Sequence, residues 1–256
     1  MHKVDAVIFD WAGTTVDYGS FAPVQAFMEV FKEYGVTPTV AEVREPMGML
    51  KLDHIRTMLQ MPRIRNCWKK VHGEEPADRD AQAMYEIFED KLMKILNRFA
   101  DPKPDTLQAV KKLRQMGIAI GSTTGYTDKM MEVVVPAAKA KGYAPDVWFS
   151  PDSTGQKGRP YPYMIFKNME ALELSDVHRV LKVGDTAADI REGKSAGVLT
   201  AGVVVGSSQM GLSREEFEAL EAHEQREKCE EVRKAFLDAG ADHVFLTLDE
   251  IVDFVS

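Results

Sequence analysis

The sequence predicts an α/β fold, namely a Rossmannoid, doubly wound parallel-sheet core with a helical cap domain inserted after the first strand. Beyond residue 100, short apolar runs alternate with helical patterns, as in parallel sheets whose strands are connected by helices. Between about residues 20 and 99 that alternation is lost, and the pattern is almost wholly helical. The chain has 256 residues, which is long enough for a main domain and a smaller one.

The strands of the core are predicted from short apolar runs. The first run covers residues 4–9, and later runs lie at residues 118–122, 147–149, 180–183, 199–205 and 242–246. Helical patterns between them cover residues 105–116, 128–141 and 162–172. The charge-rich stretch 215–234 is typical of a helix exposed to solvent. We expect residues 1–19 and 100–256 to form the core.

The helical segment is expected to form a cap over the first strand. Its first apolar pattern ends at Gly35, a common helix terminator, and its last pattern ends at Phe99. Pro102 and Pro104 then mark the return to the core. A cap of residues 20–99 follows directly after the first strand, so it is placed to cover the carboxyl end of that strand.

Composition excludes several classes of function. The net charge of −8 argues against a basic face that binds nucleic acid. No apolar run approaches the roughly 18 residues that span a bilayer, and the N-terminus lacks a signal-peptide pattern. Two cysteines, Cys67 and Cys229, make no disulfide framework and favour the reducing cytoplasm. We expect a cytoplasmic protein that binds neither nucleic acid nor membrane.

Four chemically distinctive loops should meet at one edge of the sheet, because ligands bind at the carboxyl ends of parallel strands. The four are Asp10 with its Gly-containing turn, the Gly-Ser-Thr-Thr-Gly-Tyr-Thr loop at 121–127, Lys157-Gly158-Arg159-Pro160, and 183–189 with Asp185 and Asp189. Alone, Asp10 is as typical of a helix cap as of a reactive group, and the loops at 121–127 and 183–189 are more typical of a turn, a cap or a strand-to-helix junction. Together, in this order, they favour a common site.

The residue types in these loops suit phosphoryl transfer. A carboxylate such as Asp10 can attack phosphorus, and Arg159 or Lys157 can neutralise the phosphoryl oxygens. The Thr124 hydroxyl and the amides of Thr124 and Gly125 can bind an anion. Asp10, Asp185 and Asp189 would make an oxygen-rich site suited to Mg²⁺.

The order of these loops resembles the haloacid dehalogenase (HAD) superfamily over nearly the whole chain, and residues 10–14 resemble its Asp-x-Asp-x-Thr signature. The resemblance implies that Asp10 is a nucleophile and that Thr124 and a basic residue near 159 bind phosphate. It also implies that Asp10, the backbone carbonyl of Ala12 and Asp185 bind Mg²⁺, with Asp189 supporting that site.

Ala12 departs from the signature, because the superfamily usually has a second Asp there. In phosphate-ester enzymes that acid protonates the leaving alkoxide, and general acid catalysis of this kind is typically worth about 10²–10⁴-fold. Alanine has no proton to give. The chain is therefore either inactive or acts on a leaving group that needs no proton on oxygen.

The predicted cap contains a lysine that offers such chemistry. Lys51 follows Met47, Met49 and Leu50, and desolvation in a partly apolar site would lower the pKa of its amine and favour attack on an aldehyde. His54 lies three residues later, so both side chains should project from one helix face. An exposed surface lysine is the competing interpretation for such a position.

Longer local patterns resemble one family within the superfamily, the phosphonoacetaldehyde hydrolases or phosphonatases. They are Asp-Trp-Ala-Gly-Thr, Pro-Met-Gly-x-Leu-Lys-x-Asp-His, Asp17-Tyr18-Gly19, Gly158-Arg159-Pro160-Tyr161-Pro162, Lys182-Val183-Gly184-Asp185-Thr186 and Gly206-Ser207-Ser208. The resemblance implies cleavage of a carbon–phosphorus bond through a Schiff base on Lys51. It also implies a homodimer through the caps.

Other residues are given roles that fit this chemistry. His54 would shuttle protons for imine formation, Met47 would pack near the imine, and Tyr126 would close over the site. One departure is Ser20, where the family often has Cys.

Two alternatives remain open in the sequence. One is an ordinary HAD phosphatase or sugar-phosphate mutase that acts on phosphate esters, which Ala12 disfavours. The other is a catalytically inactive binding protein, which the retained acids and Lys51 disfavour.

Overall fold

The computed structural model describes residues 3–256, so the first two residues of the predicted core lie outside it. Its centre is a five-stranded sheet in which every neighbouring pair is parallel, in the order β2-β1-β3-β4-β5. The strands are β1 (Ala6–Phe9), β2 (Ala119–Ser122), β3 (Val180–Gly184), β4 (Leu199–Val203) and β5 (His243–Phe245). The sheet confirms the predicted α/β fold class.

The strand order places a crevice at the carboxyl ends of β1 and β3. The chain passes from β1 to β2 on one side and then crosses to β3 on the other, so the connections diverge between β1 and β3. Ligands bind at such a switch point in open α/β sheets. Because β1 is buried along its whole length, its apolar side chains fix the position of the residue that follows, Asp10.

Five helices and a 3₁₀ turn lie between β1 and the rest of the core. They are α1 (Phe21–Glu33), α2 (Val40–Arg44), α3 (Lys51–Gln60), α4 (Pro62–His72), α5 (Asp78–Ile95) and the turn Leu96–Phe99. We call residues 21–99 the helical insertion. Gly35, with φ of 73°, follows the end of α1 as the sequence predicts.

The helices of the core cover the sheet. They are α6 (Thr106–Gln115), α7 (Asp128–Ala140), α8 (Tyr163–Ala171), α9 (Ala187–Ala196), α10 (Arg214–Ala219), α11 (Ala222–Asp238) and α12 (Leu248–Val255). The predicted helices at 105–116, 128–141 and 162–172 agree with α6, α7 and α8. No helix among residues 3–256 is long and apolar enough to cross a membrane.

Two predicted elements are wrong. Residues 147–149 form no strand: Phe149 makes an isolated bridge with Thr123, and only the N–H groups of Asp146 and Phe149 donate to β2, to the carbonyls of Ile120 and Ser122. The predicted single helix at 215–234 is two helices, since Leu220 is extended with ψ of 146°. Each has its own capping box, from Ser213 and from Glu221.

The helical insertion and the core share one apolar cluster. It contains Phe9 and Trp11 from the start of the core as well as Phe27, Phe31 and Phe88 from the insertion. Phe27 stacks on Phe88 at 4.2 Å between ring centroids. The apolar face of α1 is therefore used within this cluster, and the insertion is held directly over the edge of the sheet that carries Asp10.

Candidate active site

Asp10 lies at the centre of the candidate site. Its backbone N–H donates to the carbonyl of Val183 at 2.9 Å, which extends the pairing of β1 with β3 by one residue. The turn that follows brings the Thr14 hydroxyl to 3.5 Å from Asp10 Oδ2. Gly13 has φ of 87°, and a Cβ there would lie 2.0 Å from Asp185 Oδ2. Only glycine therefore allows Asp185 to approach this turn.

Arg159 reaches Asp10 from the loop before α8. Its Nη2 donates to Asp10 Oδ1 at 2.6 Å and lies 2.9 Å from Asp189 Oδ1, and its Nε donates to Glu192 Oε2 at 3.0 Å. The guanidinium is almost completely buried. Lys157, the alternative cation in this loop, is exposed and lies over the Tyr163 ring instead. Of the two candidates, the structure brings Arg159 to the site.

Three buried carboxylates form a cluster that suits a metal ion. One oxygen each from Asp10, Asp185 and Asp189 lie within 4.8 Å of one another. Asp185 Oδ2 accepts a hydrogen bond from the Ser208 N–H at 2.6 Å, whereas its buried Oδ1 has no hydrogen-bond partner among residues 3–256. An unpartnered carboxylate oxygen beside two other acids is a ligand that a hard divalent cation accepts.

The pKa shifts separate the three acids. Burial, and then the charges of Asp10 and Asp189, raise the pKa of Asp185 well above its usual value. Burial also raises the pKa of Asp10, although Arg159 opposes that change. Burial works against ionisation of Asp189 as well, but Arg159 and Lys182 outweigh it and lower the pKa of that carboxyl. Asp185 is thus the acid that most lacks a compensating positive charge.

The charge balance also favours a cation. Lys182 is fully buried on β3, with Nζ 2.8 Å from Asp189 Oδ1 and 3.6 Å from Glu192 Oε2. Four carboxylates (Asp10, Asp185, Asp189 and Glu192) thus face two positive side chains (Arg159 and Lys182). With all four ionised, these two side chains leave two negative charges unpaired, and buried Lys103, which also acts on Asp185, offsets them only in part. The donor set therefore fits a divalent metal ion.

The loop after β2 forms another wall of the site. The Thr124 hydroxyl accepts a hydrogen bond from the Tyr126 N–H at 3.0 Å, and both side chains are buried. A Cβ on Gly125 would lie 3.2 Å from the Met49 carbonyl and 3.3 Å from the Gly48 carbonyl. Glycine at position 125 therefore allows this loop to come close to the helical insertion.

Lys51 is the first residue of α3 and points into the site rather than to solvent. Its exposure is 5%. Its Nζ lies 5.1 Å from the centre of the Tyr126 ring, within the range of a cation–π contact. Burial lowers the pKa of the Lys51 amine to about 8, even though the nearby charge of Asp10 favours the protonated form. The competing interpretation of Lys51 as an exposed lysine is therefore wrong.

His54 is buried but lies apart from the cavity that Lys51 enters. Its ring stacks on Phe27 at 3.9 Å, and its Nε2 lies 2.9 Å from the Val43 carbonyl. Burial and the charge of Lys51 lower the pKa of His54 well below its usual value, so the ring is neutral. Nε2 then donates to Val43, and Nδ1 is a buried acceptor for which the described part of the chain offers no partner. The structure does not bring His54 to the cavity wall.

A cavity of about 30 Å³ lies between Asp10 and Lys51. Space of this size holds about two water molecules. Apart from His54 and Asp189, every residue predicted for the site lines this cavity. Four further lining residues, Ser20, Pro23, Gly48 and Thr186, had no role assigned from the sequence. Its lining is Asp10, Ala12, Ser20, Pro23, Met47, Gly48, Lys51, Thr124, Gly125, Tyr126, Arg159, Asp185 and Thr186.

Sequence reasoning missed the residues that support the site from behind. Lys182 and Glu192 are fully buried and pair with Arg159 or Asp189; Lys182 belongs to a matched motif but had no assigned role, and Glu192 looks like an ordinary charged residue of a helix. Ser208 appeared only within a matched motif, and its contact with Asp185 spans 23 residues. The strongest available signal was a lysine within the apolar strand β3.

Comparisons with known proteins agree with this geometry. A family model described as haloacid dehalogenase-like hydrolase matches residues 4–197. The chain is 51% identical to a phosphonoacetaldehyde hydrolase of Lysinibacillus sphaericus, over 97% of this chain and 93% of that one. It is 49% identical to the phosphonoacetaldehyde hydrolase of Bacillus cytotoxicus, over 97% of this chain and 94% of that protein.

A solved structure has nearly the same fold. It is a phosphonoacetaldehyde hydrolase-like protein from Oleispira antarctica, with a TM-score of 0.94 and 38% sequence identity. The match covers 99% of this chain and 92% of the other. The likeness therefore includes the helical insertion as well as the sheet.

Proposed function

Because the chain belongs to the haloacid dehalogenase-like hydrolases and, within them, to the phosphonoacetaldehyde hydrolase family, we propose that it hydrolyses phosphonoacetaldehyde to acetaldehyde and phosphate. The observation that carries this proposal is the single cavity shared by Lys51 and Asp10. One side chain is an amine with a lowered pKa, and the other is a carboxylate at the end of a strand. Ala12, in the same cavity, offers no acid for an ester leaving group.

The first step is imine formation on Lys51. The unprotonated amine adds to the aldehyde carbon, the resulting hydroxyl group takes up one proton, and it leaves as water to give a protonated imine. Neutral His54 is the base that we assign to these proton transfers. Its Nε2–H is held by Val43, so Nδ1 is the atom that would accept a proton, and because His54 does not line the cavity a water molecule would have to relay protons between the ring and Lys51.

The second step breaks the carbon–phosphorus bond. An Asp10 oxygen attacks phosphorus, the bond to carbon breaks, and its electron pair moves into the iminium to leave a neutral enamine on Lys51. Because the leaving atom is carbon, no proton on oxygen is required, and Ala12 is sufficient at its position. The enamine then takes up a proton at carbon, and water hydrolyses the resulting imine to acetaldehyde.

The phosphoryl group is held between the core loops during this transfer. Arg159 lies 2.6 Å from the attacking carboxylate, so its guanidinium can neutralise the equatorial phosphoryl oxygens. The Thr124 hydroxyl and the amides of Thr124 and Gly125 are the further donors that we assign to phosphate. Water then hydrolyses the aspartyl-phosphate and regenerates Asp10.

We assign Mg²⁺ as the metal, held by Asp10, the backbone carbonyl of Ala12 and Asp185. When bound, the ion neutralises phosphoryl charge and keeps the acids ionised. Asp189 supports this site from behind, since it is paired with Arg159 and Lys182. Met47 and Tyr126 would pack against the imine end of the substrate, because both line the cavity beside Lys51.

The insertion would act as a cap that opens, with domain boundaries at 1–19 and 100–256 for the core and 20–99 for the cap. The cavity of about 30 Å³ is too small for a phosphonate of seven non-hydrogen atoms. Admission of substrate therefore requires the contacts between cap and core to open. One of these is the ion pair from Glu89 to Lys129 at 2.6 Å.

The same proposal includes a cytoplasmic homodimer that associates through its caps. Val40 and Val71 are half exposed on cap helices and are available for such a contact. Light scattering of the protein and of Val71→Glu tests it, and a monomeric wild-type protein would contradict it.

Borohydride trapping tests the mechanism. Reduction in the presence of phosphonoacetaldehyde is expected to fix a two-carbon adduct on Lys51, and Lys51→Arg is expected to abolish both the adduct and the release of phosphate. Turnover of Lys51→Arg near the wild-type rate would refute the proposal. Faster turnover of phosphate esters than of phosphonoacetaldehyde would favour an ester phosphatase or mutase, and no turnover of either would favour an inactive binding protein.

A further inference from the structure

We infer that Glu192 and Thr123 are positioning residues that fix the Arg159 guanidinium for phosphoryl transfer to Asp10. The inference rests on the proposed function, because it assigns a task to two residues outside the cavity. Both are fully buried. Neither lines the space between Asp10 and Lys51.

The geometry is a closed ring of hydrogen bonds. Arg159 Nε donates to Glu192 Oε2 at 3.0 Å, and the Thr123 hydroxyl donates to the same oxygen at 3.0 Å. Arg159 Nη2 donates to the Thr123 hydroxyl oxygen at 3.1 Å, which completes the ring. Glu192 therefore sets the direction of the Thr123 hydroxyl, and that hydroxyl in turn presents a lone pair to Arg159.

The ring holds the guanidinium through two residues that do not line the cavity, whereas Arg159 itself does. Arg159 comes from a loop, and an unrestrained arginine has about 2 kcal/mol of side-chain rotamer entropy. With Nε and Nη2 both held, the plane of the guanidinium is set, and Nη2 also reaches Asp10 Oδ1. A catalytic donor that is oriented before substrate arrives needs no reorganisation during the reaction.

The neighbouring Lys182 explains how the Glu192 carboxylate can orient Arg159 without neutralising the positive charge of its guanidinium. Lys182 Nζ lies 3.6 Å from Glu192 Oε2 and 2.8 Å from Asp189 Oδ1. The two acids behind Arg159 are thus shared between two cations. Since a lone buried carboxylate would be costly, Lys182 lets Glu192 orient Arg159 while positive charge remains towards Asp10.

Thr123→Val provides the cleanest test, because valine has nearly the shape of threonine, every charge stays in place, and the backbone carbonyl of residue 123, which also accepts from Arg159 Nη2 at 3.2 Å, is kept, so that only the hydroxyl is removed. We expect it to slow aspartyl-phosphate formation in a single turnover at least tenfold. Thr123→Ser retains the hydroxyl and should restore most of the rate. Trapping of acetaldehyde on Lys51 with borohydride should be unchanged in both variants, since that reaction uses no phosphate.

Glu192→Gln tests the other half of the ring. It should lower the same rate at least tenfold in the native background and less than twofold in Arg159→Lys, because lysine has no Nε to hold. Glu250→Gln is the control, since Glu250 accepts a hydrogen bond from the Leu246 N–H on an exposed surface. Thermal unfolding of all variants separates lost stability from lost orientation.

Three outcomes would overturn the inference. They are a wild-type rate in Thr123→Val, a loss of rate that follows only the loss of thermal stability, or an equal effect of Glu192→Gln with arginine and with lysine at position 159. If Glu192→Gln fails to fold, the Thr123 pair decides alone. Failure of the proposed function is a distinct result, in which the native protein itself neither turns over phosphonoacetaldehyde nor traps acetaldehyde.

Discussion

The pH dependence of trapping on Lys51 is the most direct measure of what burial does to this amine. The pKa of Lys51 is lowered from 10.5 to about 8, and the largest cause is desolvation. At pH 7 an ordinary lysine is about 0.03% free amine, whereas an amine with a pKa of about 8 is about 9% free. The cavity thus increases the reactive form by about 300-fold.

The assay measures the initial rate of borohydride trapping with saturating acetaldehyde between pH 6 and 10. We expect the rate to rise about tenfold per pH unit at low pH and to level off near pH 8. Peptide mass analysis locates the adduct. Lys103 is the internal control, because it is as buried as Lys51 and burial also lowers its pKa, but its Nζ donates to the carbonyls of Gly13 and Val205 outside the cavity.

Either of two results would refute this reasoning. A rate that keeps rising to pH 10 would mean that the Lys51 amine is not desolvated in solution. Equal labelling of Lys103 would mean that the low pKa, rather than the position in the cavity, decides which lysine reacts.

Three further predictions follow from the same site. Lys51→Met should raise the free energy of unfolding by up to about 3 kcal/mol at pH 7, because burial lowers the Lys51 pKa from 10.5 to about 8 and the charged amine destabilises the fold. This cost is complete below pH 8 and disappears as the pH rises towards 10.5. Chemical denaturation at pH 7 and 10.5 checks this, and equal differences at both would contradict it. Mg²⁺ should raise the melting temperature of the chelator-treated protein, because it offsets the burial and the repulsion from Asp10 and Asp189 that together raise the pKa of Asp185, and the increase should be lost in Asp185→Asn but kept in the exposed Asp101→Asn. Lys51→Ala should lose phosphonoacetaldehyde turnover yet still hydrolyse acetyl phosphate, whose carboxylate leaves without an imine or a proton; loss of both activities in a folded variant, or hydrolysis that survives Asp10→Asn, would count against the division of tasks between Lys51 and Asp10.

Much of the fold and the cavity could be predicted from local patterns. The apolar run before Asp10, the helical spacing from residue 20 to 99 and the parallel strands after it all depend on side-chain periodicity, which is a property of neighbouring residues. The strand predicted at 147–149 is wrong because a short apolar run does not show whether a partner strand can pair with it. The break between α10 and α11 at Leu220 is not predicted for a related reason. A continuous run of charged residues indicates one exposed helix and hides the two capping boxes that start separate helices.

The sequence by itself determined which chemical groups are present: a carboxylate after the first strand, alanine where an acid is usual, and a lysine at the start of α3. Only the tertiary structure decided how those groups behave. Burial between the helical insertion and the sheet makes Lys51 a weak base, turns His54 away from the cavity and leaves one Asp185 oxygen unpartnered. It also joins Glu192, Thr123 and Arg159, which are separated by 33 residues or more, into one ring. The physical reason is that desolvation and charge pairing depend on distances across the fold, which local patterns do not contain.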